Sequence, residues 1–458
     1  FADLVADMRA EGVRLVPIID AAVKVEKGYR VYEEGREKGY FCKGADGKPY
    51  VVGVWPGDAV LPDFLNAGVR EWFGEQYRPL LDLGLEGFWN DMNEPSLFYS
   101  KKRFREFAGQ YLPHFLQRVK ETDDIGLPVE EFMEFLHKVN TLAGDKQDHE
   151  EFFHDVDGQK IRHFEVHNLY GSFMMRSAAE YFEKYDADKR YLLFSRSSAI
   201  GAHRSGGMWM GDNSSWWSHI LLNLQMLPAL NMAGFLYAGA DLGGFMHDST
   251  EDLVLRWLAL GVFTPLMRNH SALGTRAQEC YRFKHRELFK NTLGIRYALI
   301  PYLYSEFVKC AVKDDMLFMP LSFAYPQDKR ARSVEDQLLV GESLMIAPVY
   351  TQNAEGRYVY LPESMKLIRM KSASDVTEQI LPQGDHYISV PLGEVAFFLR
   401  HGKVLPLAKE AKCVDELDMR ELRWLKYIER DAEYELLYDE GSEKDDLAEK
   451  FQKIILKP

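Results

Sequence analysis

Six short apolar runs, each closed by a polar residue, constrain this chain more than any other feature. They are VRLVPIID (13–20), GLEGFWND (84–91), RYLLFSRS (190–197), GGMWMGD (206–212), GFLYAGAD (234–241) and GVFTPLMRNH (261–270). Near-continuous hydrophobicity over such lengths predicts strands buried on both faces, as in a parallel sheet covered by helices. Helical patterns lie between the runs: NAGVREWFGEQYRPLLDL, GSFMMRSAAEYFEKYD, SSWWSHILLNLQMLPALN and STEDLVLRWLAL. In the last, Ser249 or Thr250 can cap, and Glu251 and Asp252 favour the helix N-terminus. The runs finish at Asp20, Asp91, Arg196, Asp212, Asp241 and His270. A (β/α)8 barrel brings such strand ends to one mouth. An open doubly wound sheet would gather them near a switch point, and neither GxGxxG nor a P-loop is present.

Two segments leave the alternation: 21–62, rich in Gly and Tyr, and 120–170, which contains DKQDHEEFFHDVDGQKIRH. After residue 313 the pattern shortens to alternating runs, ESLMIAPVY, RYVYLPE, HYISVPL and VAFFLRHGKVLP, which predict antiparallel strands. The expected organisation is a catalytic (β/α)8 barrel over 1–313, a proximal C-terminal β domain over 314–405 and the start of a distal one over 406–458. Six strands rather than eight, and an opening at Phe1 within an amphipathic pattern, suggest a barrel lacking its first strands, in a processed or shortened chain.

The charge balance narrows the partners. A formal net charge of −14 over 458 residues argues against nucleic acid or an anionic membrane as the main partner. The apolar segment from Ile220 to Ala240 is interrupted by Asn223, Gln225, Pro228 and Asn231, so it predicts a buried helix leading to a strand, not a membrane span. Cys42, Cys280, Cys310 and Cys413 lie far apart without CxxC spacing and read as buried thiols in a reducing compartment, the cytoplasm.

Two carboxylates after separate barrel strands, set among aromatics, are the equipment of glycoside hydrolysis: one attacks carbon or activates water, the other protonates the leaving oxygen. Asp91 and Asp212 are the best pair. Trp209 and Met210 could desolvate Asp212, as an acid catalyst requires. The plainer readings are a helix N-cap for Asp212 and strand-end hydrogen bonding for Asp91. Arg196, Asp241 and His270 could bind sugar hydroxyls. Metal readings are weaker, since HEEFFH spaces its His five apart and HFEVH lacks the adjacent Glu; both read as solvated surface. DVDG (155–158) reads as a turn, Ser195 has no nucleophile elbow around it, and His219 reads as a packing residue.

The ordered segments GFWNDMNEP, FSRSSAIGAHRSGGMWMGDN, YAGADLGGF and FTPLMRNH resemble glycoside hydrolase family 31, in its α-glucosidase branch. PIIDAAVK, VWPGDAVLPDFLNAGVREWF, FFHDVDGQKIRHFEVHNLYG and DQLLVGESLMIAPV add to the likeness. The resemblance implies a retaining exo-α-glucosidase with Asp91 as nucleophile and Asp212 as acid/base, their carboxyl groups about 5–5.5 Å apart. It implies hydroxyl contacts from Arg196, Asp241 and His270, and a pocket lined by Asp20, Trp55, Trp89, Met92, Trp209 and Phe245. Glu94 would support the loop. An α-glucoside oligosaccharide is the implied substrate, with no metal or cofactor. An α-xylosidase or transglycosylase of the same family is the second reading, and a catalytically silent carbohydrate-binding fragment the third. The family has an N-terminal β-sandwich and two further barrel strands upstream, and a Gly-x-Trp stretch where SMKLIRMKSASD stands here. An altered proximal β domain is therefore expected.

Overall fold

Each apolar run contains a short parallel strand in a computed structural model of the chain. Residues 1–121, 133, 137, 138, 140–439, 441 and 443–458 are described; residues 122–132 of the second expected insertion lie outside the described residues. The chain divides into two compact units, one of residues 15–187 and 191–206, the other of 1–14, 188–190 and 207–458.

In the first unit Gly87–Asp91 is the central strand, flanked in parallel by Ile18–Asp20 and Leu192–Ser195. The register sets Asp20 beside Asp91 and Ser195 beside Asn90, so polar ends align as soon as the apolar stretches pair. Two helices, Ala67–Glu75 and His163–Tyr185, pack together and hold this edge. Asn66 caps the first, accepting from the amides of Gly68 and Val69. Gly74 allows their close approach, since a Cβ there would lie 2.7 Å from the Ser177 carbonyl oxygen. An aromatic cluster forms the core: Phe64 meets Phe73 and Tyr170 edge-on, and Tyr77 meets Phe88 and Phe182.

The two expected insertions meet in one small sheet. Phe152–Val156 and Gln159–Arg162 form a hairpin whose first strand pairs with Lys43–Gly44. DVDG makes its turn, with Asp157 (φ 51°) and Gly158 (φ 80°) both left-handed. The expectation of a solvated surface here is corrected: His154 and His163 are buried. His154 Nδ1 is 2.6 Å from Asp63 Oδ1 and 3.5 Å from Cys42 Sγ, while Nε2 is 3.0 Å from His163 Nδ1. Two ligands of one tetrahedral metal ion would stand about 3.3 Å apart. The Asp63–His154 separation is that of a hydrogen bond.

In the second unit Gly207–Trp209, Ala238–Asp241 and Leu266–Arg268 are parallel, with Asp241 opposite Arg268. Helices Trp217–Met232, Glu251–Gly261 and Arg286–Lys313 cover them. Thr250 precedes the second of these without capping it; its hydroxyl goes to the Asp252 carboxylate instead. A six-stranded antiparallel sheet follows, in the order Phe318–Pro320, Leu338–Val340, Leu344–Ile346, Val395–Arg400, Met365–Met370, Val376–Leu381. Strand periodicity places Phe397 and Leu399 in a core with Trp257 and Tyr302, and Phe398 in a second core with Val359 and Leu361. Met365–Met370, in the stretch expected to alter this domain, is a fully paired interior strand. Cys42 and Cys310 are buried, as expected, whereas Cys280 and Cys413 are only partly so. Among the described residues no helix is long and apolar enough to cross a membrane.

Candidate active site

Asp91 is the last residue of its strand, and the chain turns sharply beyond it because Met92 takes a left-handed φ of 54°. The Met92 amide donates to Asp91 Oδ1 at 2.8 Å, fixing the carboxylate at the strand end. Arg196 Nη1 lies 3.3 Å from the same oxygen. The guanidinium also grips Glu94 through two parallel bonds, Nε to Oε1 at 2.7 Å and Nη2 to Oε2 at 2.8 Å. Its Nη2 donates as well to the Met92 sulfur at 3.2 Å. Behind them, Asn93 donates to the Ser195 hydroxyl and accepts from the Ser197 amide, tying two strand ends together. Asp20 feels the cluster: burial and then the Asp91 charge raise its carboxyl pKa, against the pull of Arg196. Trp89 is buried and stacked on Phe194 at 5.9 Å. Trp55 is 72% exposed, standing edge-on to Phe98.

The second unit supplies the remaining expected residues. Asp241 is fully buried and receives Arg268 Nε at 2.7 Å. The Arg268 guanidinium lies 5.1 Å from the Trp209 ring, which is itself buried. Phe245 stacks on His270 at 5.1 Å. Burial, with Arg268 nearby, lowers the His270 pKa to about 4, so at neutral pH its imidazole is uncharged and offers one donor and one acceptor. Asp212 lies on the loop after Gly207–Trp209 and is exposed, so the desolvation expected from Trp209 and Met210 is not realised. It is not a helix cap either, because Trp216 occupies that position. Asn213 shapes the loop: its Nδ2 donates to the Asp241 carbonyl, and its Oδ1 accepts from the Phe245 amide.

Asp20, Asp91, Met92 and Arg196 therefore form one cluster, while Trp209 and Asp241 both meet Arg268. Sequence reasoning passed over Arg268, although it stands two residues before His270 at the end of an apolar run. It gave Glu94 only loop support, whereas Glu94 is the bidentate partner of Arg196.

Residues 1–306 match the family model for the TIM-barrel domain of glycosyl hydrolases family 31, and residues 314–405 match that for its C-terminal domain. Alpha-glucosidase 2 of Bacillus thermoamyloliquefaciens is 33% identical over 442 residues, which are 96% of this chain and 50% of the relative. Mouse lysosomal alpha-glucosidase is 28% identical, over 96% of this chain and 46% of its own length. The chain thus spans about half the length of the curated relatives it matches. In fold it is similar to a Flavobacterium johnsoniae family 31 dextranase, with a TM-score of 0.78 and 23% identity over 99% of this chain and 52% of that one. A glucosidase II alpha subunit aligns with a TM-score of 0.77 at 23% identity, over 99% of this chain and 45% of that one. By these matches the chain belongs to glycosyl hydrolases family 31, with a TIM-barrel domain followed by C-terminal antiparallel β-sheets.

Proposed function

We propose that this chain carries the centre of a retaining exo-α-glucosidase acting on terminal α-linked glucose of oligosaccharides. The observation that carries the reading is the Asp91 carboxylate, fixed by the Met92 amide and faced by Arg196, within a chain related to alpha-glucosidases over nearly all of its length. In the first step an Asp91 oxygen attacks the anomeric carbon. The bond to the leaving oxygen breaks as Asp212 donates its proton, releasing the shortened sugar and leaving a glycosyl ester. Water then gives a proton to Asp212 and its oxygen to the same carbon, freeing Asp91 and returning glucose with its α configuration. Arg196 steadies the nucleophile as an anion, and Glu94 holds the guanidinium in place. Asp241 and the neutral His270 would engage sugar hydroxyls, contacts that gain strength as the ring flattens. Trp55, Trp89, Trp209, Met92 and Phe245 would supply the apolar walls, with Asp20 as a further hydroxyl acceptor.

Turnover of an aryl α-glucoside by the purified chain tests this, with the first anomer followed by NMR and an aryl β-glucoside and an α-xyloside as controls. Asp91→Asn should lower the rate at least ~10³-fold without changing the circular dichroism. Asp212→Asn should keep the first step for good leaving groups and stall the second. Full activity in Asp91→Asn, or β-glucose as the first product, would sink the reading. Faster release from the xyloside would favour an α-xylosidase instead.

A further inference from the structure

The loop that carries Asp212 continues into Trp216, whose large ring is 51% exposed. Exposed apolar residues scattered singly need no explanation. This one is braced. The indole stacks on the His247 imidazole at 5.4 Å and 25°, and meets the His219 ring edge-on at 5.1 Å. Its loop is bonded to the 244–247 segment along its length. The Ser215 amide donates to the Met246 carbonyl, the Ser215 hydroxyl donates to the His247 carbonyl, and the Phe245 and Met246 amides donate to the Asn213 carbonyl. The Ser214 amide donates to His219 Nδ1, which keeps that ring under the loop. The two segments touch so closely that a Cβ on Gly244 would lie 2.3 Å from the Ser215 nitrogen. His247 holds a left-handed φ of 70°, a strained conformation for a non-glycine residue. Rigid backbone, local strain and an outward aromatic face make a platform, and little ordering cost remains when a ligand settles on it.

We infer that Trp216, backed by His247, is a binding platform for the leaving-group sugar, the residue on the far side of the scissile bond. The inference rests on the proposed hydrolase reading. An acid that protonates the glycosidic oxygen stands at the boundary between the glucose being removed and the sugar that departs. A flat, exposed side chain four positions beyond that acid meets the departing unit. A pyranose presents a face of axial C–H bonds, and such faces lie well on an indole. Met246, exposed beside it, extends the apolar surface.

The test compares kcat/KM for α-glucosyl fluoride, which has no departing sugar, with that for maltotriose and isomaltotriose. In Trp216→Ala the ratio of the better trisaccharide to the fluoride should fall about tenfold, chiefly through KM, and Trp216→Phe should recover most of it. An unchanged ratio in Trp216→Ala overturns the platform, whether both rates hold or both fall together. A parent chain that leaves the fluoride intact overturns the hydrolase reading, and the platform with it.

Discussion

At the scale of single residues, the centre around Asp91 depends on a cation shared between carboxylates. Arg196 faces Asp91 and is held from its other edge by Glu94. Glu94→Gln would keep the shape, lose one charge and put a donor NH2 where one acceptor oxygen stood, removing one of the two bonds and weakening the other for about 1–2 kcal/mol of stability. The larger effect should fall on turnover, because a less constrained guanidinium no longer fixes the nucleophile. A kcat loss of about 10–100-fold on an aryl α-glucoside, with KM little changed, is the expected result. A loss confined to KM would mean that Glu94 acts on binding alone.

At the scale of elements, a close junction joins helix His163–Tyr185 to the loops after two strands. A Cβ on Gly171 would lie 2.5 Å from the Ser197 carbonyl oxygen and 2.8 Å from that of Asn93. Both are backbone atoms, so the loops holding Asn93 and Ser195 together would have to move. Gly171→Ala should therefore cost about 1–3 kcal/mol through overpacking and reduce activity as well. Gly109, in helix Lys101–Glu121, has nothing within 4 Å of its added Cβ, and Gly109→Ala should be neutral or stabilise by up to about 1 kcal/mol. Thermal melts of the pair, beside their rates, separate the close junction from any general effect of removing a glycine.

At the scale of the whole molecule, the second unit is stitched from distant pieces of chain. Asp439, with a side chain only 1% exposed, receives Arg190 Nη2 at 2.7 Å, the Tyr304 hydroxyl at 2.6 Å and Lys450 Nζ at 2.9 Å. Burial alone would raise its pKa, but those three hydrogen bonds lower it from 3.8 to about 2. The unfolded chain therefore binds a proton at higher pH than the folded one. The stabilisation is complete above the unfolded value and is lost as pH falls towards 2. Asp439→Asn should cost about 3 kcal/mol at neutral pH, since it leaves the largely buried Arg190 without its anion, although Lys450 keeps Asp445. The difference in melting temperature between parent and variant should shrink from about pH 4 downward. A constant difference across that range would contradict the assignment.

Much of the architecture was legible because it follows from periodicity. A run such as GLEGFWND is too apolar to be anything but buried, and Asp91 at its end had to lie at a strand's carboxyl edge. The antiparallel C-terminal sheets followed in the same way from alternation, as Phe397, Phe398 and Leu399 illustrate. The partners of polar side chains were not legible. Glu94 and Arg196 are 102 residues apart, and nothing in either segment names the other. Arg268 was passed over although its partner, Asp241, was expected at the site. His154 and His163 looked like parts of a solvated, charged segment, yet both are buried, with His154 hydrogen-bonded to Asp63 through one ring nitrogen and to His163 Nδ1 through the other.

What the sequence by itself determined was the six apolar strands with their polar ends, four of the helices between them and the alternating C-terminal strands, because each depends on a pattern read over a few neighbouring residues. Helices Lys101–Glu121 and Arg286–Lys313 and the strands within the two insertions were not foreseen. Only the tertiary structure decided which charges meet, which histidines are buried and that Asp212 lies exposed rather than desolvated. Those outcomes depend on contacts between residues far apart in the chain, and a carboxylate's environment is set by whichever groups the fold brings within hydrogen-bonding reach.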